Sequence, residues 1–303
     1  MKIFIAGASG AIGLPLVRRL TAAGHEVVGS TRGGPGASRI RDAGGIAVPC
    51  DVFDRGALIE AVTRADPDVV VNQLTSLPAR FEPKKKGFYD ANNRIRSEGG
   101  DNLIEATAAS GAHRLVTQSI CFLYDLSGPW IKTEDEPVDG SGIHDAVLGH
   151  ERKALDDDRF ETVVLRYGLL YGPGTWYARG GHISEEVRKR RLPIVGEGTG
   201  VTSFLHVEDA ASAAVAALEK GDGIYNVTDD EPAPMSAWLP VLAEAVGGKP
   251  PRKVPAWLAS LIAGKTIVRQ ATEGRGASNA RFKAQTGWEP SIPSWRQGFF
   301  DAL

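Results

Sequence analysis

Cysteine is almost missing from this chain: Cys50 and Cys121 are the only two in 303 residues. That excludes a disulfide framework and a thiolate-rich metal site, and no other grouping of His, Cys, Asp and Glu has the spacing of metal ligands. No apolar run reaches the roughly 18 residues a membrane span needs, so no membrane partner is expected. The longest candidate, around Trp257 to Ala263, is a short buried helix at best. Neither sign of charge is in excess. With 35 basic against 37 acidic residues the formal net charge is -2, which leaves no field to attract a polyanion, and nucleic acid is not an expected partner. Internal repeats and low-complexity tracts are missing too. With so few cysteines and an apolar strand where a cleavable leader would stand, a cytoplasmic protein is expected.

What the chain has is glycine at a telling spacing. Lys2 to Ala6 is an apolar run too brief for a helix. It leads into Gly7-Ala8-Ser9-Gly10-Ala11-Ile12-Gly13, after which Leu16, Val17 and Leu20 recur at helical spacing. This pattern reads as strand, tight turn and helix. Gly7 takes the turn without a Cβ clash, Gly10 lets backbone approach a pyrophosphate, and Gly13 lets the helix pack close against the strand. Free amides along Ser9, Ala11 and Ile12 then meet the phosphates, with the helix dipole in their favour. Pro15 fits the first turn and Gly24 is placed to end the helix. A purely structural glycine turn is the alternative.

Past Gly24, Glu26 to Ser30 is a second strand, and the residues after it choose between cofactors. A carboxylate there would hold the adenosine ribose hydroxyls; this chain has Thr31-Arg32, and a guanidinium pairs with a 2′-phosphate. NADP(H) is therefore expected over NAD(H), with Ser38 and Arg39 placed to assist. Ile46 to Val48 is a third strand, Asp54 N-caps a helix to about Arg64, and Val69-Val70-Val71 is a fourth, buried strand. Strand and helix in alternation predict an α/β fold, a Rossmann-type doubly wound parallel sheet.

Together these features resemble an extended short-chain dehydrogenase/reductase, the NAD-dependent epimerase/dehydratase kind, over most of the chain. The resemblance implies that Asp51 and Val52, after the third strand, contact the adenine. It implies that Gln73, Leu74 and Thr75 meet the cofactor at the end of the fourth, and that a long helix runs from Phe88 to about Ser110. Beyond the sixth strand, Glu161 to Arg166, the runs Tyr167-Gly168 and Tyr171-Gly172-Pro173-Gly174 are close to the family's signature. Tyr167 and Pro173 are implied along the nicotinamide side. Lys84-Lys85-Lys86 reads as a solvated loop face.

In that family a Ser or Thr, a Tyr and a Lys cooperate, the Tyr giving a proton to the carbonyl oxygen as hydride arrives. Ser119, after the fifth strand Leu115-Val116-Thr117, sits where the family places serines and is the candidate catalytic residue. The Tyr-x-x-x-Lys pair is missing, for there is no tyrosine from Ile143 to Asp157. If Glu151 is the family's helix glutamate, the two places fall on Ile143 and Val147. If Lys153 is the retained lysine, the tyrosine place falls on Gly149. Either register removes the proton donor. Tyr124, His144 and His150 lie in the right part of the chain to replace it, with a structural or surface role the simpler alternative for the histidines. A substrate whose own phenol stabilises the alkoxide would need none.

The expected division is a dinucleotide-binding part, 1–174, and a substrate-binding part, 175–303, that partly returns to the sheet near 203–227. In the second part Gly180 to Arg190 reads as a helix, Asp209 caps a helix to about Leu218, and Ser236 caps another through Ala245. Thr202 stands where nucleotide-sugar enzymes of the family carry a phosphate-binding Arg, which disfavours such substrates. Trp176, Tyr177 and the Trp257 helix are candidates to line a cleft for a bulky, flat ligand. The expected function is NADPH-dependent reduction of a carbonyl on a bulky small molecule. The branch resembled is that of aromatic-polyketide ketoreductases, including angucyclinone ketoreductases of the simocyclinone type. A nucleotide-sugar epimerase or dehydratase and a non-catalytic redox sensor are the alternatives. The expected partner is a small-molecule substrate, and the expected assembly a monomer or homodimer.

Overall fold

Seven of the apolar runs pair into one sheet in the computed structural model, which describes residues 1–140 and 142–302. They are β1 (Lys2–Ala6), β2 (Glu26–Thr31), β3 (Ile46–Pro49), β4 (Val69–Asn72), β5 (Arg114–Ile120), β6 (Glu161–Tyr167) and β7 (Gly223–Val227). Their order is β3-β2-β1-β4-β5-β6-β7, and every pairing is parallel. Parallel neighbours need crossovers, and the intervening helices cover both faces, so the central strands are apolar on both sides. Ile3, Ile5, Val69 and Val71 pack with Leu16, Val17 and Leu20 of the helix Gly13–Ala22. Phe4, Val70 and Leu115 pack with Leu58, Val62 and Leu103 on the other face. Burying each such side chain contributes roughly 1.5–3 kcal/mol. Strand order reverses between β1 and β4, which places the binding crevice at the carboxyl ends of these strands.

The chain leaves the sheet after β6 and builds a second core, in which Tyr171, Phe204, Trp238, Trp295 and Phe299 are all buried. It returns twice. The helix Val207–Ala216 buries Ala210, Ala211, Ala213 and Ala214 in the same cluster as Leu16 and Leu20, small residues letting two helices approach closely. Gly223–Val227 then completes the sheet beside β6. No helix among the described residues is long and apolar enough to cross a membrane.

Four local expectations are corrected. The segment expected as one helix from Phe88 is an α-helical turn, Asp90–Arg94, a π-helical turn, Ile95–Gly99, and an α-helix, Gly100–Ser110. The helix near 180–190 spans only His182–Arg188, and Arg190 beyond it takes a left-handed φ of 59°. Asp209 and Ser236 are not caps: His206 and Pro234 hold those positions. Asp209 is instead fully buried, accepting from the amides of Ser291 (2.8 Å) and Ile292 (3.0 Å) and the Ser291 hydroxyl (2.6 Å). The helix Ala256–Ala263 is not buried, for Trp257, Leu261 and Ile262 are each about 70% exposed and only Ala259 is covered. An apolar run on every face of a short helix gives no signal of which side is packed.

Asp209 thus ties the C-terminal segment to the helix that backs the nucleotide half. Asp209→Ala leaves two amides without an acceptor, and a loss of about 2–4 kcal/mol in urea unfolding is expected, with faster hydrogen exchange at Ser291 and Ile292.

Candidate active site

The chain leaves β1 through Gly7, whose φ is +85°. A Cβ there would lie 2.5 Å from the Gln73 carbonyl oxygen, and one on Gly13 would lie 2.2 Å from the Gly7 carbonyl oxygen, so turn, helix start and β4 are in contact that only glycine permits. The Gly10 amide closes the turn on Gly7 (3.0 Å), while the amides of Ala11 and Ile12 donate to no group among the described residues. Ile12, at the N-cap, supplies no side-chain acceptor either. The first helical turn is therefore open to an anion. Gly174 lies against this loop, its would-be Cβ 3.2 Å from the Ala11 Cβ.

The other strand ends continue the same edge. Thr31 closes β2, and both its hydroxyl and that of Ser9 approach Gly36 at the start of the helix Pro35–Asp42. Arg32, Ser38 and Arg39 beyond it are exposed. Asp51 is exposed and accepts from the Phe53 amide (3.0 Å); Val52 is buried and its carbonyl accepts from Asn102 Nδ2 (2.9 Å). Gln73 is buried, donating from Nε2 to Tyr167 Oη (3.1 Å) and leaving Oε1 unpartnered. The Leu74 amide donates to Asn72 Oδ1 (3.0 Å) and its carbonyl accepts from Gln118 Nε2 (2.6 Å); Thr75 and Pro173 are exposed. The Tyr167 phenol turns away from the edge into the core, where burial raises its pKa. Open amides, a cradle that a Cβ would fill and exposed cations after β2 fit an extended dinucleotide.

At the other end of the crevice the Ser119 hydroxyl is buried and donates to Glu151 Oε1 in the helix Asp145–Leu155. Arg166 of β6 forks the same carboxylate, Nε to Oε1 at 3.0 Å and Nη2 to Oε2 at 2.6 Å. Arg166 Nη1 donates to Tyr124 Oη (3.1 Å), which donates to Asn226 Oδ1 (2.7 Å). All five side chains are buried, and burial pushes the Tyr124 phenol up to about 12. Lys153, by contrast, is on the surface paired with Asp101. Glu151 is thus the inward-facing residue of this helix and Lys153 an outward-facing one. Val147 is buried with Leu123 and Leu148. The Ile143 and Ser141 side chains lie outside the described ones.

His150 faces a second polar group. Its Nε2 lies 2.8 Å from Thr117 Oγ1 and 3.2 Å from Asn72 Nδ2, and its Nδ1 has no partner, lying against Gly100. Asn72 Nδ2 can only donate, and it also donates to Thr117 Oγ1 (3.0 Å), so Nε2 is the acceptor and Nδ1 carries the hydrogen. Desolvation, helped by the Arg96 charge, brings the imidazole down to about 4. His144 is half-buried, its Nδ1 3.2 Å from the Asp139 carbonyl oxygen. Neither Thr117 nor Asn72, nor the Arg166 fork, was expected from the sequence. The signal for the first was a polar run, Thr117-Gln118-Ser119, inside a buried strand.

An aromatic wall stands over the β4 exit. Trp176 donates from Nε1 to the Pro78 carbonyl (2.8 Å), with the Phe81 ring 4.9 Å and the Phe88 ring 6.2 Å away. Tyr89 packs edge-on to Phe88 at 4.7 Å. Tyr177 is not part of this wall; it is buried beside Phe204. Lys84 donates to the Leu261 carbonyl (3.0 Å), joining the loop to the exposed Trp257 helix.

Residues 3–228 match the NAD dependent epimerase/dehydratase family. A 3-diazoavenalumate denitrifying reductase of a Streptomyces species is 45% identical, the match covering 98% of this chain and 99% of the relative. The 2-alkyl-3-oxoalkanoate reductase of Stenotrophomonas maltophilia is 28% identical over 82% of this chain and 76% of its own. Among solved structures, the UDP-glucose 4-epimerase of Thermotoga maritima superposes with a TM-score of 0.81 at 19% identity, over 100% of this chain and 97% of that one.

Neutral His150 has a consequence for pH. The imidazole titrates at 6.5 when unfolded and at about 4 when folded. Within that window the unfolded chain holds a proton the folded chain lacks, so stability falls as the pH falls, by up to about 1.4 kcal/mol per pH unit. His150→Gln keeps a partner for Thr117 and is expected to flatten that part of the slope; urea midpoints of both proteins from pH 4 to 7 check it, and parallel curves would refute it.

Proposed function

The chain belongs to the NAD dependent epimerase/dehydratase family and is an oxidoreductase, and from that premise we propose that it reduces a diazo group on a small aromatic molecule with NADPH, releasing dinitrogen. The observation that carries this is the helix Asp145–Leu155. If Glu151 is the family's helix glutamate, a reading its inward position supports, the resemblance puts Ile143 and Val147 at the places where a carbonyl reductase of this type needs Tyr and Lys. Hydride added to a carbonyl leaves an alkoxide that must take a proton. Hydride added to a diazonium group leaves no such charge: R–N2⁺ and hydride give R–H and N2, and the proton donor becomes dispensable. The 45% identity to a relative named for denitrifying a diazo compound supports the same chemistry.

A bound reduced nicotinamide supplies the hydride. The chain's own groups do the rest. The amides of Ala11 and Ile12 would take the pyrophosphate, Arg32 and Arg39 the 2′-phosphate, and Asp51 and Val52 would border the adenine, with Gln73, Leu74, Thr75 and Pro173 toward the reacting end. Trp176, Phe81 and Phe88 offer flat apolar faces to an aromatic ring. Ser119, bonded to Glu151, braces the helix against β5 rather than meeting substrate, and His150 is neutral and spent on Thr117. His150, brought down to about 4, and Tyr124, pushed up to about 12, are both poor proton donors near neutral pH.

A second reaction, reduction of a ketone on an aromatic polyketide, is favoured by the resemblance to a 2-alkyl-3-oxoalkanoate reductase and would draw its proton from the substrate or water. The two separate in one assay. With an arenediazonium carboxylate, one N2 per NADPH oxidised is expected above the enzyme-free rate, with no oxidation on polycyclic ketones. The reverse pattern would establish ketone reduction. Tight NADPH binding with neither would establish a sensor.

Arg32 is exposed with no acidic partner among the described residues. Arg32→Asp is expected to weaken NADPH binding about tenfold or more while sparing NADH, as charge-assisted phosphate contacts require. Nicotinamide fluorescence titrations check it, and an unchanged NADPH to NADH ratio would remove Arg32 from the site.

A further inference from the structure

Arg96 is a buried cation that the reaction above leaves unused. It sits in the π-helical turn Ile95–Gly99, 7% exposed, with one long hydrogen bond, Nη2 to Gln118 Oε1 at 3.4 Å. Its Nε is sealed and has no partner. Its Nη1 makes no hydrogen bond among the described residues either, and is not sealed. Glu151, the carboxylate whose charge acts on it, is already committed to the Arg166 fork and the Ser119 hydroxyl. A guanidinium held out of water without a carboxylate is costly, and such groups persist where a ligand supplies the missing charge. π-Helical turns in α-helices are likewise concentrated at functional sites.

Its position says which ligand. Side chains alternate along β5, so Thr117, which meets His150, and Gln118 point to opposite faces of the sheet. Arg96 comes from the helical segment that packs on His150 at Gly100, yet it reaches Gln118, whose own amide bonds the Leu74 carbonyl beyond β4. The guanidinium therefore stands at the carboxyl edge of β4 and β5. That is across the switch point from β2, where the exposed Arg32 marks the adenosine half. An anion bound there would lie away from the cofactor phosphates expected at the ends of β1 and β2. The same stretch of chain carries the aromatic rings of Phe81, Phe88 and Tyr89 just upstream.

We infer that Arg96 is a substrate-binding residue and that the substrate is an aromatic carboxylate, its two oxygens matching the planar fork of the guanidinium. This deepens the function proposed above, and it rests on that function for the word substrate, but its test needs no turnover. Calorimetry on the NADPH-loaded chain compares 2-naphthoate with methyl 2-naphthoate, equal in ring and different in charge. The wild type is expected to prefer the carboxylate by about 100-fold, as loss of a desolvated charge partner typically costs, and Arg96→Met to show no preference. Arg96→Lys, which keeps the charge but loses the fork, is expected to fall between. NADPH affinity is expected to be the same in all three proteins.

Equal affinity of the two probes for the wild type, no binding of 2-naphthoate at millimolar concentration, or a preference that survives Arg96→Met would each overturn the inference. If Arg96→Met does not fold, the ester comparison on the wild type and the Arg96→Lys value decide. Preference for the carboxylate without reduction of any diazo compound would refute the proposed reaction alone; reduction without preference would refute the role of Arg96 alone.

Discussion

A carboxylate and a guanidinium sealed inside a protein must satisfy each other, and the Glu151–Arg166 fork is where this chain meets that demand. Both side chains are under 5% exposed, and the carboxylate takes two bonds from Arg166 and one from Ser119. Removing one partner of such a pair typically costs 3–5 kcal/mol, because the other is left charged and dry. The fork joins the helix Asp145–Leu155 to β5 and β6 together, so the helix face turned to the crevice is set by it. Tyr124 and Asn226 extend the network to β7.

This bracing is independent of the chemistry carried by the same helix. Glu151 holds the helix whether or not a tyrosine stands eight residues before it, so the acid can be lost without loss of the scaffold. The buried polar groups near the strand ends are the Ser119–Glu151–Arg166 network, neutral His150 on Thr117, and Arg96 on Gln118. The reaction proposed above, whose leaving group is a neutral gas, would ask no proton of them.

The sheet is legible in the sequence because buried parallel strands read as short apolar runs between helices, and Val69-Val70-Val71 has no other reading. The glycine loop is legible for a similar reason: Gly7 and Gly13 sit where a Cβ would overlap a carbonyl, and spacing alone records that. Long-range polar partnerships are not recorded in this way. Asp209 precedes an apolar run and looks like a cap, while its acceptors are spent on Ser291 and Ile292, far along the chain. His150 and Arg96 lie on helical segments whose inward faces depend on where Gly99 and Gly100 let the neighbours approach. The Trp257 helix has the composition of a core element and the exposure of a surface one, since composition does not say what covers it.

The last strand of the sheet has a cost during synthesis. β6 pairs on one side with β5, but its other edge is filled only by Gly223–Val227, after the intervening residues 168–222 have been made. Until that segment leaves the ribosome, Glu161–Tyr167 presents an apolar strand with a row of unpaired backbone donors and acceptors. Non-local parallel pairing is intrinsically slow, so a nascent chain passes through a stage in which this edge is open to association until β7 covers it.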